Sequence, residues 1–372
     1  MTDRWVDLLF DARHIRQSGI GTYIATLLPR LEETFAERGL SLAVLVNEHA
    51  VPEVRHARIV TAAPAAMYTV GEQRVWGRAL DEVRPRGFWV PHYPFPFATL
   101  RHRGMRLFVT VHDTMHVRER EISGQSAARR AYARAMFTLD GRFATLVLTP
   151  SEATSATFAA IAPRARTTAS PIPVDEQWFE PVDRALSPVA EPYLLYVGNA
   201  KWHKNLPLLL MAFGDVVGDI PHRLVIAGSG EALRGGDERV PALAAALGDR
   251  VEVMGRLDFD VLRALVASAD LLVMPSLHEG AGLPPIEAMA SHTAVIAADI
   301  PALRETCGNG ADYFDPRDRS GLAAMLRSLC GDSQARTRLA ERGWAHVTAR
   351  QKGLSLKPAA EGVAQELAAT PR

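Results

Sequence analysis

Apolar residues along this chain gather into short continuous runs, separated by longer stretches in which they recur at helical spacing. In the first half the runs lie at 5–10, 42–47, 58–62, 87–90, 106–111 and 145–148. Between the first two, Ile24, Leu27, Leu28, Leu31 and Phe35 fall on one face of a helix predicted over 22–38. Runs that are apolar throughout, alternating with amphipathic helices, predict buried strands of a parallel sheet covered on both faces. The second half repeats the pattern at 193–198, 223–230, 251–255, 270–274 and 294–297, and its strands end in glycine or another small residue, as at Gly198, Gly228, Gly230 and Gly255. The predicted fold class is α/β, with two Rossmann-like domains.

Composition narrows this picture. A chain of 372 residues exceeds what one core usually serves, so two domains are expected. The proline-bearing stretch 180–191 reads as the connection between them. The formal net charge is zero, which argues against a nucleic-acid partner. No apolar run approaches the roughly 20 residues that span a bilayer, and the sequence passes from Asp3-Arg4 straight into a strand, so a cytoplasmic location is expected. Cys307 and Cys330 lack metal-type spacing and read as packing residues.

The stretch 276–290, Ser-Leu-His-Glu-Gly-Ala-Gly-Leu-Pro-Pro-Ile-Glu-Ala-Met-Ala, joins a strand to a helix predicted over 286–291 and opened by Pro284 and Pro285. Backbone N–H groups at such a turn, here around Gly280, Gly282 and Leu283, favour an anion such as phosphate. A carboxylate beside that anion would be repelled by it, so Glu279 and Glu287 are suited to accept hydrogen bonds from sugar or ribose hydroxyls. Basic residues are almost all arginine; Lys201 and Lys204 are the first lysines in the chain, and lysine is a compact phosphate-binding charge. At predicted strand ends of the first half stand Gly19-Ile20-Gly21, Pro91-His92-Tyr93 and Val111-His112-Asp113. Ligands in open α/β sheets sit at such ends. Gly19-Ile20-Gly21 also suits a tight turn that needs glycine dihedrals, and His112-Asp113 also suits a structural hydrogen bond that fixes one loop. A helix over 126–139 carries Arg129, Arg130 and Arg134 beside Tyr132, a face suited to solvent or to an anionic membrane.

Glu279 and Glu287, enclosing Glu-Gly-x-Gly-Leu-Pro, resemble the E-x7-E signature of the retaining glycosyltransferases of family 4, which have the GT-B fold of two Rossmann-like domains facing each other across a cleft. Gly198 to Leu206, with Lys204-Asn205-Leu206, resembles that family's diphosphate loop, although His203 stands where an arginine is frequent. Pro301 to Glu305 and Ala311 to Pro316 are similar to the run after its donor site. Ile172-Pro173 departs from the Asn-Gly usual at its interdomain hinge. With Asp11-Ala12-Arg13, Gly19-Ile20-Gly21, Val111-His112-Asp113 and Ser151-Glu152-Ala153-Thr154, the chain looks most like bacterial mannosyl- or rhamnosyltransferases of surface-polysaccharide assembly.

The resemblance implies an acceptor-binding domain over 1–180, a linker over 181–191, a donor-binding domain over 192–345 and a segment, 346–372, that crosses back to the first domain. It implies a nucleotide-diphosphate sugar, GDP-mannose first with UDP- and dTDP-sugars as alternatives, and a glycan or lipid-linked acceptor, with peripheral membrane contact. Glu279, His112 and Lys204 are implied as catalytic. Gly19, Gly21, Asp113, Lys201, Gly228, Arg256, Gly280, Gly282, Leu283 and Glu287 are implied around the donor. No Asp-x-Asp motif points to a metal, and no cofactor is expected. Retention is compatible with a double displacement or with same-face attack. A non-catalytic GT-B scaffold and a nucleotide-sugar epimerase are the rival expectations; an NAD-dependent dehydrogenase is disfavoured by the missing third glycine after Gly21.

Overall fold

The computed structural model describes residues 6–15, 18–228 and 236–369. Two compact units divide the chain: residues 1–117, 128–173 and 354–372 form the first, and residues 118–127 and 174–353 the second. The first contains β1 (Leu8–Asp11), α1 (Ser18–Glu37), β2 (Leu42–Asn47), β3 (Arg58–Ala62), α2 (Val70–Val83), β4 (Gly87–Val90) and β5 (Arg106–Thr110). The short α3 (Arg120–Ser123) belongs to the second unit, after which α4 (Ala127–Phe143), β6 (Leu146–Thr149), α5 (Glu152–Ala159) and β7 (Thr167–Ala169) continue the first. Its strands pair in parallel in the order β3-β2-β1-β4-β5-β6-β7.

The second unit runs β8 (Tyr193–Val197), α6 (Leu206–Val216), β9 (Arg223–Ala227), α7 (Arg239–Ala246), β10 (Val251–Met254), α8 (Phe259–Ser268), β11 (Leu271–Met274), α9 (Leu283–Ala290), β12 (Val295–Ala298), α10 (Pro301–Cys307), β13 (Asp312–Phe314), α11 (Arg319–Gly331) and α12 (Ser333–Gln351). Its parallel order is β10-β9-β8-β11-β12-β13. Central strands such as β1, β4, β8 and β11 are buried almost along their length, as sheets with both faces covered require. In each sheet the order reverses beside its first strand, between β1 and β4 and between β8 and β11. Such switch points open a crevice at the carboxyl ends of the strands.

Several boundaries differ from the sequence reading. The first strand starts at Leu8, and Trp5 lies outside the described residues, as do Ser229 and Gly230 after β9. Helix α1 begins at Ser18, so Gly19 and Gly21 sit in its first turns and neither has a positive φ. A Cβ at Gly21 would stand 2.7 Å from the Ile15 carbonyl oxygen and 2.9 Å from that of His14; close approach, not a turn dihedral, requires glycine there. The segment expected as a linker groups with the second unit, and its Val189 is buried in that unit's core. Gln351, at the end of α12, bonds both backbone groups of Val174 at 3.1 and 2.8 Å and so ties that unit's end to its start. The last helix, α13 (Lys357–Ala368), groups with the first unit, where Arg86 donates to the Leu367 carbonyl at 2.8 Å and Arg106 meets Glu366 at 3.1 Å. Ser151 caps α5, accepting the Thr154 N–H at 3.1 Å, as its sequence position suggests. Both cysteines are buried and free. Among the described residues, no helix is long and apolar enough to cross a membrane.

Asp140 on α4 is fully buried with neither carboxylate oxygen hydrogen-bonded, and burial pushes its carboxyl well above the usual carboxylate range. A carboxyl whose folded pKa is raised weakens the fold as pH climbs from its unfolded value toward its folded one. Asp140→Leu, which keeps the branched heavy-atom skeleton without its polar oxygens, should therefore stabilise the protein by about 1 kcal/mol, a Tm rise of about 2–4 °C. In thermal melts across pH, the gain should be largest above neutrality and shrink toward about pH 4.

Candidate functional site

The second unit's site grows from the exits of β8 and β11. After β11, the buried Ser276 and the chain to Gly282 turn into α9, with Gly282 in the left-handed region at φ 69°. A Cβ there would also push on the tip of the Leu303 side chain, but it is the dihedral that requires glycine. The helix starts at Leu283, earlier than the sequence suggested, which places Pro284 and Pro285 within its first turn. Proline carries no N–H. N–H groups for an anion must therefore come from the turn itself, up to Leu283.

Opposite this turn stands the loop after β8. Its short helical turn Trp202–Lys204 is stopped by Asn205, held at φ 54° while its amide donates to the carbonyls of Pro275 and Pro316 at 3.1 and 2.9 Å. The Leu277 N–H donates to the His203 carbonyl at 2.7 Å, fastening the two loops directly. These ties bring Lys204 Nζ to 2.7 Å from Glu279 Oε1, and the Ser276 hydroxyl donates to the same oxygen at 2.6 Å. The pair is nearly out of solvent, with side chains 15% and 9% exposed. Burial alone would raise the Glu279 carboxyl, but the Lys204 and His203 charges and the bonds from Lys204 and Ser276 hold it below the usual range.

Glu287, half-buried on α9, is shifted the other way: desolvation, aided by the nearby Asp175 carboxylate, pushes it up to about 7. Gly198 ends β8 at φ 154°, its N–H on the Ala227 carbonyl at 2.9 Å, and the Gly228 N–H meets the Met254 carbonyl at 3.3 Å. Lys201 and Arg256 are exposed.

The first unit assembles a different chemistry. Asp11, at the end of β1, takes Arg13 Nε and NH2 at 2.9 and 2.7 Å and Trp76 Nε1 at 2.7 Å. Glu72 Oε1 receives His92 Nε2 at 2.9 Å, Arg13 NH2 at 3.3 Å and His14 Nε2 at 3.4 Å, and its other oxygen accepts the Tyr68 N–H at 2.8 Å. All of these charged side chains are buried. Desolvation opposes the Glu72 charge, yet the hydrogen bonds from both histidines and the His92 and Arg13 charges bring its carboxyl down to about 2. Ligand atoms of His14, Glu72 and His92 lie within 4.8 Å of one another, a spacing that suits a metal. The Arg13 guanidinium on the same carboxylate oxygen repels a divalent cation, so the group is better described as a buried charge network.

His112 follows β5, with Nε2 2.8 Å from the Pro91 carbonyl and its ring edge-to-face with Tyr23 at 5.0 Å. Desolvation lowers its pKa to about 4, so the ring is neutral near pH 7. A carbonyl only accepts, which fixes the proton on Nε2 and leaves Nδ1 as an acceptor. Asp113 Oδ1 accepts the Met115 N–H at 2.9 Å. On α4, Arg129, Tyr132 and Arg134 are exposed and Arg130 is half-buried.

With this geometry in hand, residues 182–345 match the family described as glycosyl transferases group 1. The match lies wholly within the second unit. One stretch of the chain is 34% identical over 139 residues to the O-antigen chain mannosyltransferase RfbU of Salmonella typhimurium, covering 37% of this chain and 38% of that protein. Another is 32% identical over 207 residues to the D-inositol 3-phosphate glycosyltransferase of Nocardia farcinica, covering 51% of this chain and 45% of that one. The chain thus spans less than half the length of either relative. Among solved structures, a sucrose-phosphate synthase from Thermosynechococcus elongatus superposes with TM-score 0.80 at 20% identity, covering 98% of this chain and 99% of that one. Anabaena HepE in complex with UDP-glucose gives 0.73 at 18% identity, over 98% and 100% of the two chains. These likenesses establish the GT-B fold.

Of the residues singled out in sequence, Lys204, Glu279, Gly280, Gly282, Leu283 and Glu287 share one loop cluster in the second unit, while His112, Asp113, Gly19 and Gly21 belong to the first. Sequence reasoning gave Ser276 and Asn205 no role of their own and passed over Glu72. The last did leave a signal: Thr69 and Glu72 have capping-box spacing, and the Thr69 hydroxyl accepts the Glu72 N–H at 3.3 Å.

The Glu287 shift has a measurable sign. Its folded pKa of about 7 lies above the ordinary glutamate value of 4.5, so the ligand-free protein should lose stability as pH rises from about 4.5 through about 7. Glu287→Gln should flatten that slope in paired thermal melts; identical slopes would show the carboxyl ionises freely.

Proposed function

We propose that this protein is a retaining, metal-independent hexosyltransferase that moves mannose from GDP-mannose to a saccharide or lipid-linked glycan acceptor in cell-surface polysaccharide synthesis. The observation that carries this reading is the 2.7 Å pair of Lys204 and Glu279 beside Glu287, at the strand exits of the group 1 domain. The mannosyltransferase relatives favour mannose; Anabaena HepE, a structural neighbour solved with UDP-glucose, keeps UDP-sugars as the alternative donor.

The second unit would bind the donor and the first the acceptor. On donor arrival Lys204 exchanges Glu279 for the diphosphate, meeting charge as the anomeric C–O bond breaks, with turn N–H groups at Gly280, Gly282 and Leu283 assisting. Exposed Lys201 and Arg256 are the further cations available, and Gly228 lets backbone approach the nucleotide. Glu279, released from Lys204, accepts a sugar hydroxyl, and Glu287 accepts from the ribose. In the first unit neutral His112 offers Nδ1 to a sugar hydroxyl beside Asp113, with Gly19 and Gly21 admitting close approach. Arg129, Arg130 and Arg134 are suited to peripheral contact with an anionic membrane that carries a lipid-linked acceptor.

A thermal-shift screen against GDP, UDP, ADP and dTDP, with and without magnesium, tests the donor site. At 100 times the dissociation constant, binding adds about 2.7 kcal/mol, and the shift should be selective for GDP, indifferent to magnesium and absent in Lys204→Ala. Silence with every diphosphate would favour a scaffold that keeps the fold. Glu279→Ala should retain the fold and lose transfer by at least about a hundredfold, read as sugar release or transfer from GDP-mannose.

A further inference from the structure

Above the buried network of the first unit lies an aromatic cluster that the donor assignment leaves unused. Tyr68 has its ring 5.1 Å from Tyr93 and 6.1 Å from His116, and Tyr93 lies 5.1 Å from His116 and 4.7 Å from Phe137. Tyr93 and His116 follow β4 and β5, so the cluster sits at the carboxyl edge of the sheet, beside its switch point. Tyr68 is 42% exposed and Tyr132, whose hydroxyl is within electrostatic reach of Tyr93, is 46% exposed. The Asp113 carboxylate acts on both the Tyr68 and the Tyr93 hydroxyls.

The backbone at Tyr68 marks this ring as deliberately held. Its φ is 65°, a conformation that is unfavourable for a bulky residue and clusters at ligand sites. What fixes it is the 2.8 Å bond from its N–H to Glu72, the carboxylate that Arg13, His14 and His92 keep ionised and immobile. Seen from Tyr68, the network of buried charges is a clamp that presents one exposed aromatic face.

We infer that Tyr68, Tyr93 and His116 form a platform for a neutral hexopyranose unit, with Tyr68 the stacking residue and Glu72 the positioning residue. Aromatic faces match the C–H face of a pyranose, and the phenol hydroxyls with the Asp113 carboxylate match its hydroxyl rim. The assignment of this unit to the acceptor glycan rests on the transferase reading; the pyranose site itself does not.

Saturation-transfer NMR on the full chain, with the methyl α-pyranosides of mannose, glucose, galactose and rhamnose as probes, tests the platform. The wild type should show saturable transfer from at least one of them. Tyr68→Ala should weaken it roughly tenfold and Tyr68→Phe should retain it, because the stacking face survives. Tyr68→Ala should leave Tm and the GDP-induced shift unchanged, while Glu72→Gln should weaken pyranoside binding through the loosened Tyr68 backbone. Binding of no pyranoside by the wild type, or equal binding by Tyr68→Ala, overturns the platform. Pyranoside binding that depends on Tyr68 in a protein that no diphosphate shifts would support the platform and refute the transferase reading instead.

Discussion

Parallel pairing is the constraint on which everything else depends. Every strand pair recorded in either sheet is parallel, so each strand must be followed by a crossover and all strands of a sheet finish at the same edge. That edge collects chain ends whose next backbone groups have no ladder partner. At the reversal of strand order two crossovers leave on opposite faces, and the loops there are splayed. Both clusters of polar side chains stand at these places: Lys204 and Glu279 beside β8 and β11, and the Asp11 to His92 network beside β1 and β4.

The two clusters handle charge in opposite ways. Asp11 with Arg13, and Glu72 with Arg13 and two histidines, are held by bidentate and converging bonds and withdrawn from water, with only Arg13 NH1 and His92 Nδ1 left without a partner among these side chains. Breaking such a buried pair costs about 3–5 kcal/mol, so it holds geometry and is poorly suited to exchange partners. Lys204 and Glu279 retain a little exposure and share a single contact, so either can change partner at modest cost. Glu287, with a carboxyl near neutrality in its pKa, is the least settled charge of the three. One unit thus carries a rigid anchor and the other an exchangeable pair.

Much of this was legible in the sequence because parallel strands are continuously apolar and their loops carry unusual residues. The runs at 42–47, 58–62 and 87–90 coincide with β2, β3 and β4, and E-x7-E with Lys-Asn-Leu marked the loops that meet. The edges were less legible. Strand β7 is short and half-buried, so it lacks the apolar signature. The start of α1 was misplaced because Gly19 and Gly21 read as loop residues, whereas steric room beneath Gly21 admits the first helical turn. Long-range pairing left no local trace: nothing near Glu72 announces that Arg13 and His92 will converge on it, and nothing near Lys204 announces an ion pair.

Asn205 shows how narrow the allowed variation at such a site is. Its left-handed backbone favours glycine or asparagine, and its amide holds carbonyls from two distant segments at once. Glycine would keep the dihedral and drop both carbonyls; a β-branched residue would lose both features. Substitution at position 205 is therefore constrained by the loop's own shape, whatever ligand the loop meets.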